Sequence, residues 1–295
     1  MGRAHCNHQR RQSARNIRQS RQRRQYRPVL WRLQNRRKRR LQKSQQPACM
    51  VVTDLCRLRK ITFKEKTMSH KTALVTGASE GIGLEFCKLL AARGYHLILV
   101  SRRQALLQEI AQQLEERHPG IRCTVIAADL AQPQAAETLF NKVKAQQLQV
   151  DFLINNAGLL QNGFFVKLSL AKQEAMMQVN VVALTCLTHL FANDMASRKS
   201  GHILNLASTA AWMPIPNENV YAATKAFVLS FTQALADEMA ALNSGVTISA
   251  LCPGYTATKM MDNPDQGATL KISSDMMMAP AVVAEIGLNG CLAGK

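Results

Sequence analysis

Ala73-Leu74-Val75-Thr76-Gly77-Ala78-Ser79-Glu80-Gly81-Ile82-Gly83 decides the fold. An apolar run ends in a turn with three glycines, and a helical pattern begins at once. In such a strand-to-helix turn a bulky Cβ would block a phosphate. Without one, backbone N–H groups and the positive helix end can hold a pyrophosphate. The spacing is G-x-x-x-G-x-G, not the more general G-x-G-x-x-G. Alone it is a weak signal, since many glycine turns are only turns. Its place after the first strand of a repeating β/α pattern favours a dinucleotide.

Outward from the turn, continuous apolar runs occur at Ala73–Val75, Leu97–Val100, Thr124–Ala128, Phe152–Ile154, Ile203–Leu206 and Val246–Leu251. Continuous rather than alternating runs fit strands covered on both faces. Between them lie helix-length segments: Gly83–Arg93, Gln104–Arg117, Pro133–Gln147, Leu170–Arg198 and Val220–Leu242. The order predicts an α/β fold, a doubly wound Rossmann-type parallel sheet flanked by helices, with right-handed crossovers.

The net charge of +19 would ordinarily point to nucleic acid. Its distribution argues otherwise. Residues 1–70 hold 21 Lys/Arg against Asp54 and Glu65, and the remaining 17 bases and 17 acids cancel. Two regions follow: a basic segment, 1–67, too poor in apolar residues to form a core, and a neutral domain, 68–295. The segment reads as a basic arm, as a transit peptide, or as non-native sequence upstream of a start at Met68. Few aromatics (Tyr26, Trp31, Phe63) occur there, which argues against a nucleic-acid stacking surface. The eight cysteines form no C-x-x-C pair, so no zinc site and no disulfide framework is indicated, and buried free thiols in the cytoplasm are expected. No metal is expected. No apolar run approaches the ~18–20 residues of a membrane span, and no secretory signal is present.

Further motifs complete a resemblance. Asn155-Asn156-Ala157-Gly158 follows the fourth apolar run. Asn205-Leu206-Ala207-Ser208 follows the fifth. Tyr221-Ala222-Ala223-Thr224-Lys225 opens a long helix, and Pro253-Gly254 follows the sixth run. With the glycine turn, these resemble the T-G-x-x-x-G-x-G, N-N-A-G, N-x-S-S, Y-x-x-x-K and P-G motifs of the short-chain dehydrogenase/reductase family. Ala207 departs from the pattern where the family has a serine. The resemblance runs from about Lys71 to Lys295. It implies a hydride transfer between a nicotinamide dinucleotide and a carbonyl or alcohol.

The residues suit that chemistry. Tyr221 and Lys225 share one helix face, and Tyr221 lies 13 residues after Ser208. A second match, Tyr255 to Lys259, sits in a loop without such a serine. An ammonium beside a phenol stabilises the phenolate, so Lys225 is expected to lower the pKa of Tyr221. Ser208 would hydrogen-bond the substrate oxygen. The resemblance implies that Asn180 holds a proton-relay water and that Lys225 also holds the nicotinamide ribose. Expected catalytic residues are thus Asn180, Ser208, Tyr221 and Lys225.

Expected cofactor-binding residues are Gly77, Ser79, Gly81, Ile82 and Gly83 in the turn, and Ser101 and Arg102 after the second run. Asp129 and Leu130 follow the third run, and Asn156, Ala157 and Gly158 the fourth. Tyr221, Lys225, Pro253, Gly254, Thr256 and Thr258 complete the set. Asp129 would contact adenine or cap the next helix. Thr256 and Thr258 would contact the carboxamide or a phosphate, or be plain loop hydroxyls. NAD sites place an acid at the end of the second strand. Here Val100-Ser101-Arg102-Arg103 has none, so NADP(H) is expected over NAD(H), with Arg102 on the 2′-phosphate; Glu80 is mildly contrary.

Family members carry one more strand than this chain, whose last helical pattern, Met278–Ala293, is followed only by two residues. A last strand therefore appears missing and the sheet edge is expected to be bare. The resemblance implies a homodimer or homotetramer on the long helices. The expected substrate is a small ketone or 3-oxoacyl-type carbonyl. Rival readings are a non-catalytic dinucleotide sensor, which has no need of Tyr221, and nucleic-acid binding through the basic arm.

Overall fold

The computed structural model describes residues 49–51, 71–260 and 273–295. Expectations for the rest of the basic segment, and for positions 261–272, lie outside the described residues. Seven strands form one sheet: β1 (Cys49–Val51), β2 (Thr72–Thr76), β3 (His96–Ser101), β4 (Cys123–Ala127), β5 (Phe152–Asn155), β6 (Gly201–Leu206) and β7 (Val246–Cys252). The order is β1-β7-β6-β5-β2-β3-β4, and every pair is parallel. The helices are α1 (Gly81–Ala92), α2 (Gln104–Arg117), α3 (Ala135–Ala145), α4 (Leu170–Met177), α5 (Leu184–Ser197), α6 (Asn219–Ala241) and α7 (Pro280–Leu292).

Successive strand residues point to opposite faces, and both faces are apolar. Ala73 and Val75 of β2 pack with Phe86 and Leu90 of α1, Leu107 of α2 and Leu288 of α7. Leu74 between them packs on the other face with Leu139 of α3, Leu187 and Phe191 of α5, and Met239 of α6. This is the doubly wound arrangement expected from the continuous apolar runs. Strand β2 pairs with both β3 and β5, so the chain changes direction across the sheet there. Ligands of open α/β sheets bind in the crevice that such a reversal leaves at the strands' C-terminal ends.

Two expectations are corrected. The edge of β7 is not bare: β1 pairs along it, with Cys49 beside Ala250 and Val51 beside Cys252. Three residues of the basic segment thus line that edge. One apolar stretch, Leu170–Ser197, does have the length and hydropathy of a membrane span. Half of its most apolar window is buried, as in a helix packed on a sheet. Cys87, Cys123, Cys186 and Cys291 are free thiols as expected, whereas Cys252 is in a disulfide.

If β1 closes the edge, Met50→Pro, which places a residue without an N–H opposite Leu251, lowers the melting temperature. A chain of this size loses about 2–4 °C per kcal/mol. An unchanged melting curve would show that β1 contributes nothing to stability.

Candidate active site

The glycine turn is held by a second motif. Thr76 Oγ1 accepts from the backbone N–H groups of Asn156 and Ala157, each at 3.0 Å. The Asn156 side-chain amide donates to the carbonyls of Thr76 (2.9 Å) and Gly77 (3.2 Å). These bonds draw the β5 end so close that side chains are excluded. A Cβ on Gly77 would lie 2.7 Å from Asn156 Nδ2, and one on Gly83 would run into the Gly77 carbonyl. Gly77 also has a φ of +67°, in the left-handed region that favours glycine. Helix α1 leaves this turn with no side-chain cap on its N-terminus. Its first N–H donors and positive dipole end are therefore available to an anion, and the turn fits a dinucleotide pyrophosphate.

Next to this turn three elements converge. Ser208 ends the loop after β6, and its Oγ accepts from the N–H of Ala210 at 3.1 Å. The Ser208 hydroxyl acts on the Tyr221 phenol, holding its pKa down. Lys225, one turn further along α6, is buried and donates to the Leu206 carbonyl at 2.8 Å. Its ammonium sits 5.7 Å from the centre of the Tyr221 ring. Asn180 lies in a π-helical turn, Gln178–Ala183, between α4 and α5. Such bulges recur at functional sites. Its amide donates to the Leu159 carbonyl (2.9 Å) and Thr224 Oγ1 (3.1 Å) and accepts from Leu159 N–H (2.8 Å). Gly158 fills the space between: a Cβ there would sit 3.4 Å from Asn180 Oδ1 and 3.7 Å from Lys225 Nζ.

Burial governs the protonation of this cluster. It raises the Tyr221 phenol to about 12; the Ser208 hydroxyl works downward and the Glu218 charge upward. Burial likewise pulls Lys225 down to about 8. The expected lowering of the phenol by its lysine is therefore not seen. Both groups move toward their neutral forms because burial penalises charge.

The profile of the family described as short chain dehydrogenase matches residues 71–268. The chain belongs to this family. It is 33% identical over 197 residues to the oxidoreductase UcpA of Escherichia coli, covering 66% of this chain and 73% of that protein. It is 33% identical over 223 residues to the ketoacyl reductase HetN of a Nostoc species, covering 75% of this chain and 76% of the relative. Among solved structures it resembles a short-chain dehydrogenase from Sphingobium yanoikuyae in complex with NADPH, with TM-score 0.70, 30% identity, and coverage of 76% of this chain and 85% of the other. As a short-chain dehydrogenase/reductase it is an NAD(P)-dependent oxidoreductase acting on alcohol and carbonyl groups.

The remaining expected residues fall as follows in this family member. Ser79 is buried in the turn, and its Oγ accepts from the Arg103 guanidinium at 2.8 Å. The same guanidinium pairs with Glu80 at 2.8 Å. Arg103 thus reaches back over the turn, and Arg102 beside it is exposed. Ser101 Oγ accepts from the Arg103 N–H at 3.2 Å. Asp129 uses both oxygens locally, on Ala131 N–H and the Gln132 side chain, each at 3.2 Å. Helix α3 starts later, behind Gln134, so Asp129 does not cap it. Leu130 is buried beneath. Thr256 donates to the Gly254 carbonyl at 3.0 Å. The Thr258 methyl leans over Gly81, 3.1 Å from where a Cβ would be, beside Ile82. Pro253 accepts from Thr209 N–H at 2.9 Å. Tyr255 is 42% exposed in its loop, apart from Lys225.

Sequence reasoning missed a buried amide ladder. Asn155 donates to Thr188 (3.0 Å) and Asn205 (2.9 Å), and Asn205 donates to Thr232 (3.0 Å). It ties β5, α5, β6 and α6 together beneath the site. Only the facing register of Asn155 and Asn205 could have signalled it.

The depressed Lys225 value predicts a stability effect. The unfolded lysine titrates near 10.5 and the folded one near 8. Below about 8 both states are protonated and the native state bears the full burial penalty. As pH rises from 8 to 10.5 the unfolded state binds more protons, so this group's contribution becomes more favourable. The melting temperature of the native chain should therefore gain on that of Lys225→Met over this window. Parallel curves for the two proteins would contradict a buried ammonium.

Proposed function

We propose that the chain reduces a ketone or 3-oxoacyl-type carbonyl with NADPH, in the cytoplasm, as a homodimer or homotetramer, with residues 68–295 as its catalytic domain. The observation that carries the reading is the buried Lys225 ammonium, held by the Leu206 carbonyl at 2.8 Å and 5.7 Å from the centre of the Tyr221 ring. When bound, the nicotinamide supplies the hydride to the carbonyl carbon. Tyr221, fully protonated at neutral pH, gives its phenolic proton to the carbonyl oxygen. Ser208 donates to that same oxygen as negative charge develops on it. The Lys225 ammonium, steered by the Leu206 carbonyl, stabilises the phenolate left on Tyr221. Asn180 is held by Leu159 and Thr224, and its Oδ1 keeps a second lone pair for a relay water. A protonated phenol is an acid in waiting, which favours reduction over oxidation.

The cofactor preference rests on charge. No acid ends β3, Arg102 is exposed there, and Arg103 lies over the turn. The Sphingobium relative was solved with NADPH. The oligomer reading rests on the outer side of the long helices, where Val182 and Phe227 are exposed (44% and 41%) and Phe227 stacks on Phe231 at 5.7 Å. Free Cys87, Cys123, Cys186 and Cys291 support a reducing compartment, and the Cys252 disulfide weighs against it.

Two measurements test this reading. NADPH should bind at least about tenfold more tightly than NADH, since a charged hydrogen bond contributes ~1.5–3 kcal/mol, and Arg102→Asp should erase the difference; equal binding by the native chain refutes the preference. In ketone reduction followed by nicotinamide absorbance, Tyr221→Phe should lose most turnover with dinucleotide binding retained, whereas Tyr255→Phe changes little. The reverse ranking would move the proton donor to Tyr255.

A further inference from the structure

Glu218 stands one turn before Tyr221. Its carbonyl accepts from Ala222 N–H at 2.8 Å, so it opens α6, yet its side chain caps nothing. The residue is only 7% exposed. Among the described residues its carboxylate has no hydrogen-bond or ion-pair partner. It is also absent from the sealed, partnerless polar atoms, which include Gln173 Oε1 and Thr185 Oγ1. The carboxylate therefore opens onto space that solvent can enter. A buried carboxyl without a partner is costly, and such groups in native proteins call for an explanation.

Position supplies one. Glu218 is the N-cap residue of α6, three residues before Tyr221, and Tyr221 and Lys225 share the face that follows. The charge of Glu218 acts on the Tyr221 phenol. The segment running into it, Trp212-Met213-Pro214-Ile215-Pro216, is apolar. A carbonyl compound hydrogen-bonded to Ser208 and Tyr221 would present its next carbons to Glu218.

We propose that Glu218 selects the substrate: the cleft takes a ketone bearing a hydroxyl on the first or second carbon from the carbonyl, and the Glu218 carboxyl accepts that hydroxyl's hydrogen bond. The inference rests on Tyr221 as proton donor. A hydroxyl suits the site better than an ammonium. It can donate to the carboxylate and accept from the neutral acid, so it satisfies Glu218 in either form. Burial raises this carboxyl's pKa, which brings the neutral form closer to working pH. An ammonium would have to be desolvated against the apolar segment.

The full chain is assayed with NADPH on three matched probes: phenylacetone, its hydroxylated analogue phenylacetylcarbinol, and the corresponding amino ketone. The carbinol should exceed phenylacetone in kcat/KM by about tenfold or more, the usual value of a hydrogen bond to a charged group. In Glu218→Leu that ratio should fall to within about twofold of unity. NADPH binding by each variant reports folding. If Glu218→Leu does not bind NADPH, Glu218→Gln decides, and the ratio must then fall by about threefold or more. Turnover of ketones with no preference, or a preference that survives the substitution, overturns the proposal. A preferred amino ketone overturns the choice of a hydroxyl. Failure to reduce any of the three, with NADPH bound, counts instead against the carbonyl-reductase reading itself.

Discussion

Everything at this site depends on one close approach, the Asn156 amide against the Thr76 and Gly77 carbonyls. It joins the end of β5 to the end of β2, the two strands between which the sheet order reverses. The reversal opens the crevice, and the amide fixes its floor. Because the amide sits so near, neither Gly77 nor Gly83 can carry a side chain. The glycines are thus required twice, by the internal packing of the turn and by the ligand above it. Asn156, Ala157 and Gly158 were expected to touch cofactor. The first task of Asn156 and Ala157 in the structure is to build the turn.

The second constraint is burial. A Tyr–Lys pair in water would be read by Coulomb attraction alone, with the phenol pulled down by the ammonium. Here burial moves both groups toward their neutral forms. The tyrosine stays a proton donor and the lysine is held charged only loosely at neutral pH. The hydrogen bond to the Leu206 carbonyl keeps the ammonium aligned even so. A site of this kind is ready to give a proton rather than to accept one.

Much of this was legible in the sequence, for a physical reason. Continuous apolar runs have one stable use in a chain with alternating helices, and the six runs from Ala73 to Leu251 correspond to β2 through β7. The Ser208–Tyr221–Lys225 set was legible because its spacing is local to one loop and one helix. What sequence could not supply is side-chain direction. Arg102 and Arg103 are adjacent, and only the fold shows that Arg103 folds back onto Ser79 and Glu80. Glu80, which looked adverse to a phosphate, proves to be paired. The π-helical turn around Asn180 was invisible because its insertion leaves the apolar period of Leu170–Ser197 almost unbroken. The strand β1 was missed because three residues of a basic, core-poor segment carry no periodic signal, and pairing to an edge needs only backbone.

Ala207 shows why one departure from the family pattern leaves the chemistry intact. The residue is buried, and its side chain packs with Leu184, Val228 and Cys252. Its backbone N–H is satisfied by the Leu251 carbonyl at 2.8 Å, which anchors the end of β6 to β7. A serine hydroxyl in that apolar cluster would need a partner of its own, so alanine is the better fit to these neighbours. Ser208, one residue on, has left the strand, and its hydroxyl accepts from Ala210 N–H at 3.1 Å. The strand ends with an apolar anchor and the loop begins with a polar one. Because the two are adjacent, the position of the hydroxyl is set by the sheet itself and not by the loop that follows.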